Sequence, residues 1–305
     1  MLALGKDMVI LLSLLSLILA LMIRSRIAPT PSGYLHIGNA LNFVLIWLWV
    51  RRENGRLLLR VDDRDTPRAK PEFIDDIFHS LDWLGLDWDE GPQTADELYR
   101  TYSQSLRVQR YEAVTQQLIE TGRVFACECS RKEMHLHTCS CRAKHIPLDR
   151  PDTALRIVTP SEPILIHDLK RGIFPVDLDH ELKDFIIRRR DGMTAYQLAS
   201  LVDDLDHDIN LIIRGDDLLS STAAQLYLAS VIGAESFEKT AFYHHPMVND
   251  ELGQKLSKSS GSPSLRVMRE SGITTEQLYI RLSGLMGLKE KYTSADDMLK
   301  GDFTL

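Results

Sequence analysis

From Arg24 to Asp62 the chain reads strand, tight turn, long apolar helix, strand, and no other stretch restricts the fold as much. Residues 24–30 form a short strand candidate closed by Pro29, Pro31 and Gly33, residues that a central strand cannot absorb and a turn can. Leu35 to Arg52 has helical length and carries the run ALNFVLIWLWV. A helix apolar on most of its sides must be buried against a sheet. Gly55 breaks it, and RLLLRVD at 56–62 is a continuous apolar strand of the parallel-sheet type. Parallel neighbours need a helical crossover. The expected fold is therefore α/β, doubly wound and Rossmann-like.

The rest of the chain extends the pattern. A helix follows Pro71 with Phe73, Ile74, Ile77, Phe78 and Leu81 at three-to-four spacing, and another spans about 103–121. Residues 122–183 differ, with short strand-like pieces LRIVT at 155–159 and ILIHD at 164–168, and read as an inserted β-rich subdomain. DFIIRRR at 184–190 returns to a strand, Tyr196 to Leu201 suggests a helix, and INLIIRG at 209–215 is another buried strand. Residues 221–232 are helical, with Ser220 or Ser221 as a cap. The expected organisation is an apolar tail at 1–23, a first catalytic half at 24–121, the insert at 122–183, a second half at 184–261 and a helical region at 262–305.

The 305 residues correspond to about two domains, with 44% apolar residues, enough for a sizeable core. A net charge of −7 excludes a generally basic nucleic-acid coat but leaves room for a local basic groove. The four cysteines all fall between residues 127 and 141, which argues for a metal site in a reducing compartment rather than a disulfide scaffold. Four thiolates can hold zinc tetrahedrally, and the imidazoles of His135 and His137 compete for the fourth position.

The N-terminal run Met8–Ile23 is sixteen residues without a charge, short of the roughly 20 that a membrane span needs. It reads as a mis-assigned start upstream of Met22, an anchor or amphiphilic tail, or an export signal lacking a clear cleavage site.

Two stretches carry phosphate chemistry. Pro31-Ser32-Gly33-Tyr34-Leu35-His36-Ile37-Gly38-Asn39 lies at a strand-to-helix junction. Its glycines allow close backbone approach, helix-start N–H groups attract phosphate, and the imidazole can donate to a phosphate oxygen. Gln254-Lys255-Leu256-Ser257-Lys258-Ser259-Ser260-Gly261 sets two lysines among serines, suited to neutralising a triphosphate. A plain turn with an incidental histidine and a solvated charged turn are the bland readings of each alone.

Together they resemble class I aminoacyl-tRNA synthetases of the glutamyl group. His36-Ile37-Gly38-Asn39 is similar to that family's HIGH signature with Asn last, and Lys255-Leu256-Ser257-Lys258-Ser259 to its KMSKS signature with Leu second. The likeness extends over Arg26-Ile27-Ala28-Pro29-Thr30-Pro31-Ser32-Gly33, Arg60 to Arg68 and Ile213 to Thr222. Within the group the chain looks most like the glutamyl-Q tRNA(Asp) synthetases, which attach glutamate to the queuosine base of a tRNA. Only 44 residues follow Gly261, too few for an anticodon-binding domain, and Asp184 to Gly192 also looks like the Q type. Ser220-Ser221-Thr222 looks more like the full-length synthetases.

The resemblance implies an enzyme that activates L-glutamate with ATP and Mg²⁺ and passes it to queuosine-modified tRNA(Asp), working as a cytoplasmic monomer. A discrete glutamyl-tRNA synthetase charging a tRNA 3′ end is the alternative, and a non-catalytic RNA- or amino-acid-binding relative the third. It implies catalytic roles for His36, Gly38, Asn39, Lys255 and Lys258, and ATP contacts at Pro31, Gly33, His36, Gly38 and Lys258. It implies glutamate contacts at Arg26, Thr30, Asp62, Tyr196 and Arg214. The chemistry fits: Arg26 or Arg214 can hold a carboxylate, Asp62 the α-ammonium, and Tyr196 supplies a hydroxyl on a rigid ring. Asp62 departs from the Glu common in bacterial glutamyl enzymes, which keeps glutamine open as a substrate. Cys127, Cys129 and Cys141 match the family's zinc pattern with His137 in its Tyr slot, leaving Cys139 as an extra thiol for a structural zinc. Arg188, Arg189 and Arg190 are candidates for RNA, although strand alternation cannot point all three the same way.

Overall fold

The computed structural model describes residues 22–65, 67–130, 133, 139–247 and 263–303. The apolar run up to residue 21, His135, His137 and the lysine-rich segment with Lys255 and Lys258 lie outside them. Among the described residues no helix is long and apolar enough to cross a membrane.

The chain begins with β1 (Arg24–Ile27), α1 (Ile37–Arg52), β2 (Arg56–Leu59) and α2 (Pro71–Leu84). After irregular turns come α3 (Val108–Glu120), β3 (Val124–Cys127), β4 (Ala154–Ile157), β5 (Ile164–Asp168), β6 (Gly172–Val176) and β7 (Phe185–Arg188). Then follow α4 (Tyr196–Asp206), β8 (Leu211–Gly215), α5 (Leu219–Ile232), β9 (Ala241–His245), α6 (Leu265–Glu270), α7 (Thr275–Leu285) and α8 (Ala295–Lys300).

β1 and β2 pair in parallel, Arg24 opposite Arg56, as the opening motif requires. β8 and β9 also pair in parallel, from Leu211 opposite Ala241 to Gly215 opposite His245. The two pieces lie side by side: Asn210 N–H donates to Arg24 O (3.0 Å) and Ser25 Oγ–H to Leu211 O (2.8 Å). Chain order reverses where β1 meets β8, so the carboxyl ends of these strands open onto the crevice where doubly wound sheets bind ligands.

Strand alternation decides which side chains reach which face. Ile27, Leu57, Leu59, Leu211 and Ile213 join the apolar cluster built on α1, α2 and the C-terminal helices. Leu58, Ile212 and Phe242 join the cluster under α3, α4 and α5. Arg26 and Arg214, one position from Ile27 and Ile213, therefore fall on the α4–α5 face. Gly91 (φ 101°) passes so close to β2 that a Cβ there would sit 2.1 Å from Leu59 O.

The expected insert divides differently from its reading. β5 and β6 do not form a separate sheet: β5 pairs in parallel with β9 at Asp168–Phe242 and extends the catalytic sheet. β7, expected to resume the second catalytic half, instead completes the small antiparallel sheet β3–β4–β7. The helix expected from residue 103 starts only at Val108, because Ser103 is extended (φ −58°, ψ 136°) and turns its hydroxyl onto Asp63 (2.6 Å). Neither Ser220 nor Ser221 caps α5, which runs on from a turn at Asp216–Leu218 and starts at Leu219.

Candidate functional site

The turn after β1 delivers His36 to the N-cap of α1. Its Nδ1 accepts the Gly38 N–H (3.2 Å), while Asn39 Oδ1 accepts the His36 N–H (3.0 Å), a reciprocal capping box. Asn39, expected to be catalytic, thus builds the helix start. An Nδ1 that accepts leaves the ring proton on Nε2, the tautomer that donates to a phosphate oxygen. No acidic residue occupies the first turn of this 16-residue helix, so its positive end is not cancelled. Pro31 is buried and Gly33 half-buried in the turn, with Ser32 N–H closing onto Thr30 O (2.8 Å). His36 also bridges to Ser264, and Leu265 N–H donates to Leu35 O (2.7 Å), which brings the residues following the lysine-rich segment against this turn.

Beside the turn is a cavity of about 270 Å³, lined among others by Thr30, Asp62, Gln104, Arg189, Thr194 and Tyr196. Three of the five expected glutamate contacts are therefore at its wall. Arg26 and Arg214 do not line it; they lie in the buried layer beneath, 4% and 3% exposed.

That layer is an ion-pair network. Asp204 Oδ1 accepts from Arg26 Nε (2.9 Å) and Arg60 Nη1 (2.7 Å), while Arg60 Nε donates to Asp62 Oδ1 (2.7 Å). Gln104 Nε2 reaches Asp203 Oδ2 (2.8 Å) and Asp62 Oδ1 (3.3 Å), and Tyr111 and Arg107 hold Asp203 from α3 and the turn before it. Burial pushes the Asp62 carboxyl above its ordinary range even against the pull of Arg60. Burial pushes Asp204 the same way, but the guanidiniums of Arg26 and Arg60 outweigh it and hold the carboxyl below its ordinary range.

Arg214 is different. Its Nη2 donates to Gln225 Oε1 (2.8 Å), and its Nε and Nη1 are buried without a hydrogen-bond partner. Burial, with Tyr196 opposing it, lowers the guanidinium to about 10. Sequence reasoning named Arg26 and Arg214 as equals; the structure spends Arg26 on Asp204 and leaves donors on Arg214.

Gln104, Asp203, Asp204 and Gln225 went unnoticed in the sequence. For the aspartates a signal existed: paired acids within YQLASLVDDLD, where the helical face of Leu198, Leu201 and Val202 is buried. For the glutamines none did.

The cysteines converge. All four Sγ atoms lie within 4.8 Å of one another, with Cys127–Cys139 and Cys129–Cys139 at 3.7 Å and Cys129–Cys141 at 3.5 Å. Four sulfurs about 2.3 Å from one zinc stand roughly 3.8 Å apart, so the thiol set fits that ion. Cys139, the extra thiol, takes a corner of the cluster. Nearby the three arginines diverge: Arg188 donates to Leu148 O (3.0 Å), Arg189 pairs with Asp65 and Asp191, and Arg190 donates to Glu128 O.

The family model described as tRNA synthetases class I (E and Q), catalytic domain, matches residues 22–162 and 151–296. A glutamyl-Q tRNA(Asp) synthetase of Nitratidesulfovibrio vulgaris is 38% identical over 291 residues, 88% of this chain and 87% of its own. A glutamate–tRNA ligase 2 of Halorhodospira halophila is 36% identical over 92% of this chain, which spans only 60% of that ligase. In fold, the glutamate–tRNA synthetase of Elizabethkingia anophelis superposes with a TM-score of 0.73 at 23% identity, over 92% of this chain and 66% of that one. The chain belongs to the class I tRNA synthetases, in the catalytic-domain family of the E and Q type.

Proposed function

We propose that this protein activates L-glutamate with ATP to glutamyl-adenylate and transfers the glutamyl group to the queuosine base of tRNA(Asp). The observation that carries the amino-acid half is Arg214, a buried cation with two unpaired donor nitrogens behind Tyr196. A buried guanidinium in that state calls for a carboxylate, and leaving it unmatched is costly. Glutamine cannot supply the second negative charge, so the reading favours glutamate. The acceptor half is supported by the glutamyl-Q tRNA(Asp) synthetase relative, 38% identical over 88% of this chain.

In this reading Asp62, held by Arg60, receives the α-ammonium, Arg214 the side-chain carboxylate, and Tyr196 and Thr30 close the pocket. Arg26 keeps Asp204 and Arg60 in place. The α-carboxylate oxygen attacks the α-phosphorus of ATP and pyrophosphate leaves; no enzyme nucleophile is used. His36 Nε2–H, the positive end of α1, and Lys255 and Lys258 stabilise the charge that grows on the phosphates. Magnesium carried in with ATP adds the same kind of stabilisation. A base hydroxyl of the tRNA then attacks the acyl carbonyl and AMP leaves. Cys127, Cys129, Cys139 and Cys141 would hold a structural zinc, which would tie down the small sheet and supply no chemistry to the reaction. The cysteine cluster, with no disulfide among the described cysteines, and this substrate set support a cytoplasmic location.

The test is glutamate charging of tRNA with and without queuosine, with the attachment site located by nuclease digestion and mass spectrometry. Label on the queuosine nucleoside is the expected result. Label on the 3′-terminal adenosine would instead favour a tRNA-charging ligase. Lys258→Ala should slow adenylate formation at least about tenfold, roughly 1.4 kcal/mol; an unchanged single-turnover rate removes Lys258 from the mechanism.

A further inference from the structure

Beneath the cavity a second buried polar chain remains without a role in the chemistry above. Arg214 and His244 are register partners on β8 and β9, so both side chains leave the sheet on the same face, under α5. Two α5 residues three positions apart meet them. Gln225 Oε1 accepts from Arg214 Nη2 (2.8 Å), and Thr222 Oγ1 lies 2.7 Å from His244 Nε2. Gln225, Thr222 and His244 are each fully buried.

The protons of this chain can be assigned. Asp168 Oδ1 accepts the N–H groups of Lys170 and Arg171 at 2.9 Å each, and Oδ2 accepts the His244 backbone N–H at 2.8 Å. A carboxylate so surrounded is an acceptor, so His244 Nδ1, 2.8 Å from Oδ2, carries the proton. Burial, helped by the neighbouring Arg214 charge, holds the imidazole down at about 4 against the pull of Asp168, so it is neutral at pH 7. Nε2 then accepts, and the Thr222 hydroxyl donates to it rather than to Leu218 O at the longer 3.1 Å. The result is a latch between β5, β9 and α5 that fixes the turn of helix from which Gln225 projects.

We propose that Gln225 is a positioning residue for substrate recognition: its amide oxygen holds Nη2 of Arg214, with the Asp168–His244–Thr222 chain fixing its helix, so that Nε and Nη1 stay free to bind the substrate carboxylate. The donor count supports this. Gln225 Nε2 is also buried without a partner, and against these three nitrogens stand two buried acceptors without one, Asp204 Oδ2 and, on a carboxylate already paired with Arg171, Asp216 Oδ1. A carboxylate entering the layer corrects that surplus. A carboxylate in place of the Gln225 amide would instead pair with Arg214 and compete with substrate.

The inference rests on the glutamate reading, and the experiment separates the two. Glutamate-dependent, tRNA-supported pyrophosphate exchange is measured for the wild-type chain, Gln225→Glu, Gln225→Leu, Thr222→Val and Thr222→Ser. Gln225→Glu should raise the KM for glutamate at least tenfold while the KM for ATP changes less than twofold. Gln225→Leu, which removes the amide without adding a charge, should act in the same direction and is the deciding variant if Gln225→Glu does not fold. Thr222→Val should raise the glutamate KM several-fold and Thr222→Ser restore it. An active wild type with a glutamate KM unmoved in the folded Gln225 variants overturns the inference alone, as does an equal rise in both KM values, the mark of a merely structural role. A wild type that does not activate glutamate overturns the underlying reading and the inference with it.

Discussion

The polar layer beneath the cavity and the thiol cluster of the small sheet are both built from chemically active side chains, but they keep their shape by different means. The layer is redundant. Arg26, Arg60, Asp62, Asp203 and Asp204 come from two strand ends and one helix, Arg60 reaches all three carboxylates, Asp204 also takes Arg26, and apolar clusters lie on both sides of the sheet. The cluster is sparse. Cys127 and Cys129 at the end of β3 meet Cys139 and Cys141 at the start of a short helical turn, and Cys129 and Cys139 are only half-buried. One region is braced by the chain's own ion pairs; the other has the composition of a metal site, whose order a bound ion would supply.

The largest expected effect tests the first half of that contrast. Asp204→Asn removes the one charge that two buried guanidiniums share and should cost about 3–5 kcal/mol of stability in urea unfolding. A loss under about 1 kcal/mol would mean that the layer is not braced as described. Arg214→Met should show the reverse profile. Because Arg214 sits in no ion pair shorter than 4 Å among the described residues, its replacement should leave stability equal or slightly higher. Glutamate activation should fall about a hundredfold, or roughly 2.7 kcal/mol. Destabilisation equal to that of Asp204→Asn would erase the distinction between a bracing charge and a recognising one.

The smaller effect belongs to the cluster. Stripping metal with a chelator should speed amide exchange at least about tenfold over residues 124–127 and 154–157, with protection in α1 and α4 unchanged. Uniform loss of protection would show the two regions to be one cooperative unit. Cys139→Ser should lower zinc content well below one per chain, and His137→Ala should leave it intact; the opposite pair of results would give the fourth position to the imidazole.

What the sequence disclosed follows the range of the forces involved. The opening strand–helix–strand, the apolar strand at β8 and the long helices are local patterns, and the structure has each within a few residues of its expected place. The grouping of strands in the middle of the chain was not legible. β5 pairs with β9 across more than 70 residues, and neither strand announces its partner. The site shows the same limit. Arg26, Asp62, Tyr196 and Arg214 are marked by motif and chemistry, but which arginine is spent internally depends on Asp204, 178 residues from Arg26. Cys139 could be read as surplus only because spacing along the chain says little about where a sulfur ends up.

The most direct test of the whole account is the choice among three amino acids. AMP formation is followed with L-glutamate, L-glutamine and L-aspartate as sole amino acid, in the presence of tRNA, on the wild-type chain and Arg214→Met. Glutamate should be preferred over glutamine by at least about a hundredfold in kcat/KM, as a buried unpaired guanidinium requires, and Arg214→Met should collapse that preference. Equal use of glutamate and glutamine by the wild type, or a preference that survives in Arg214→Met, would contradict it.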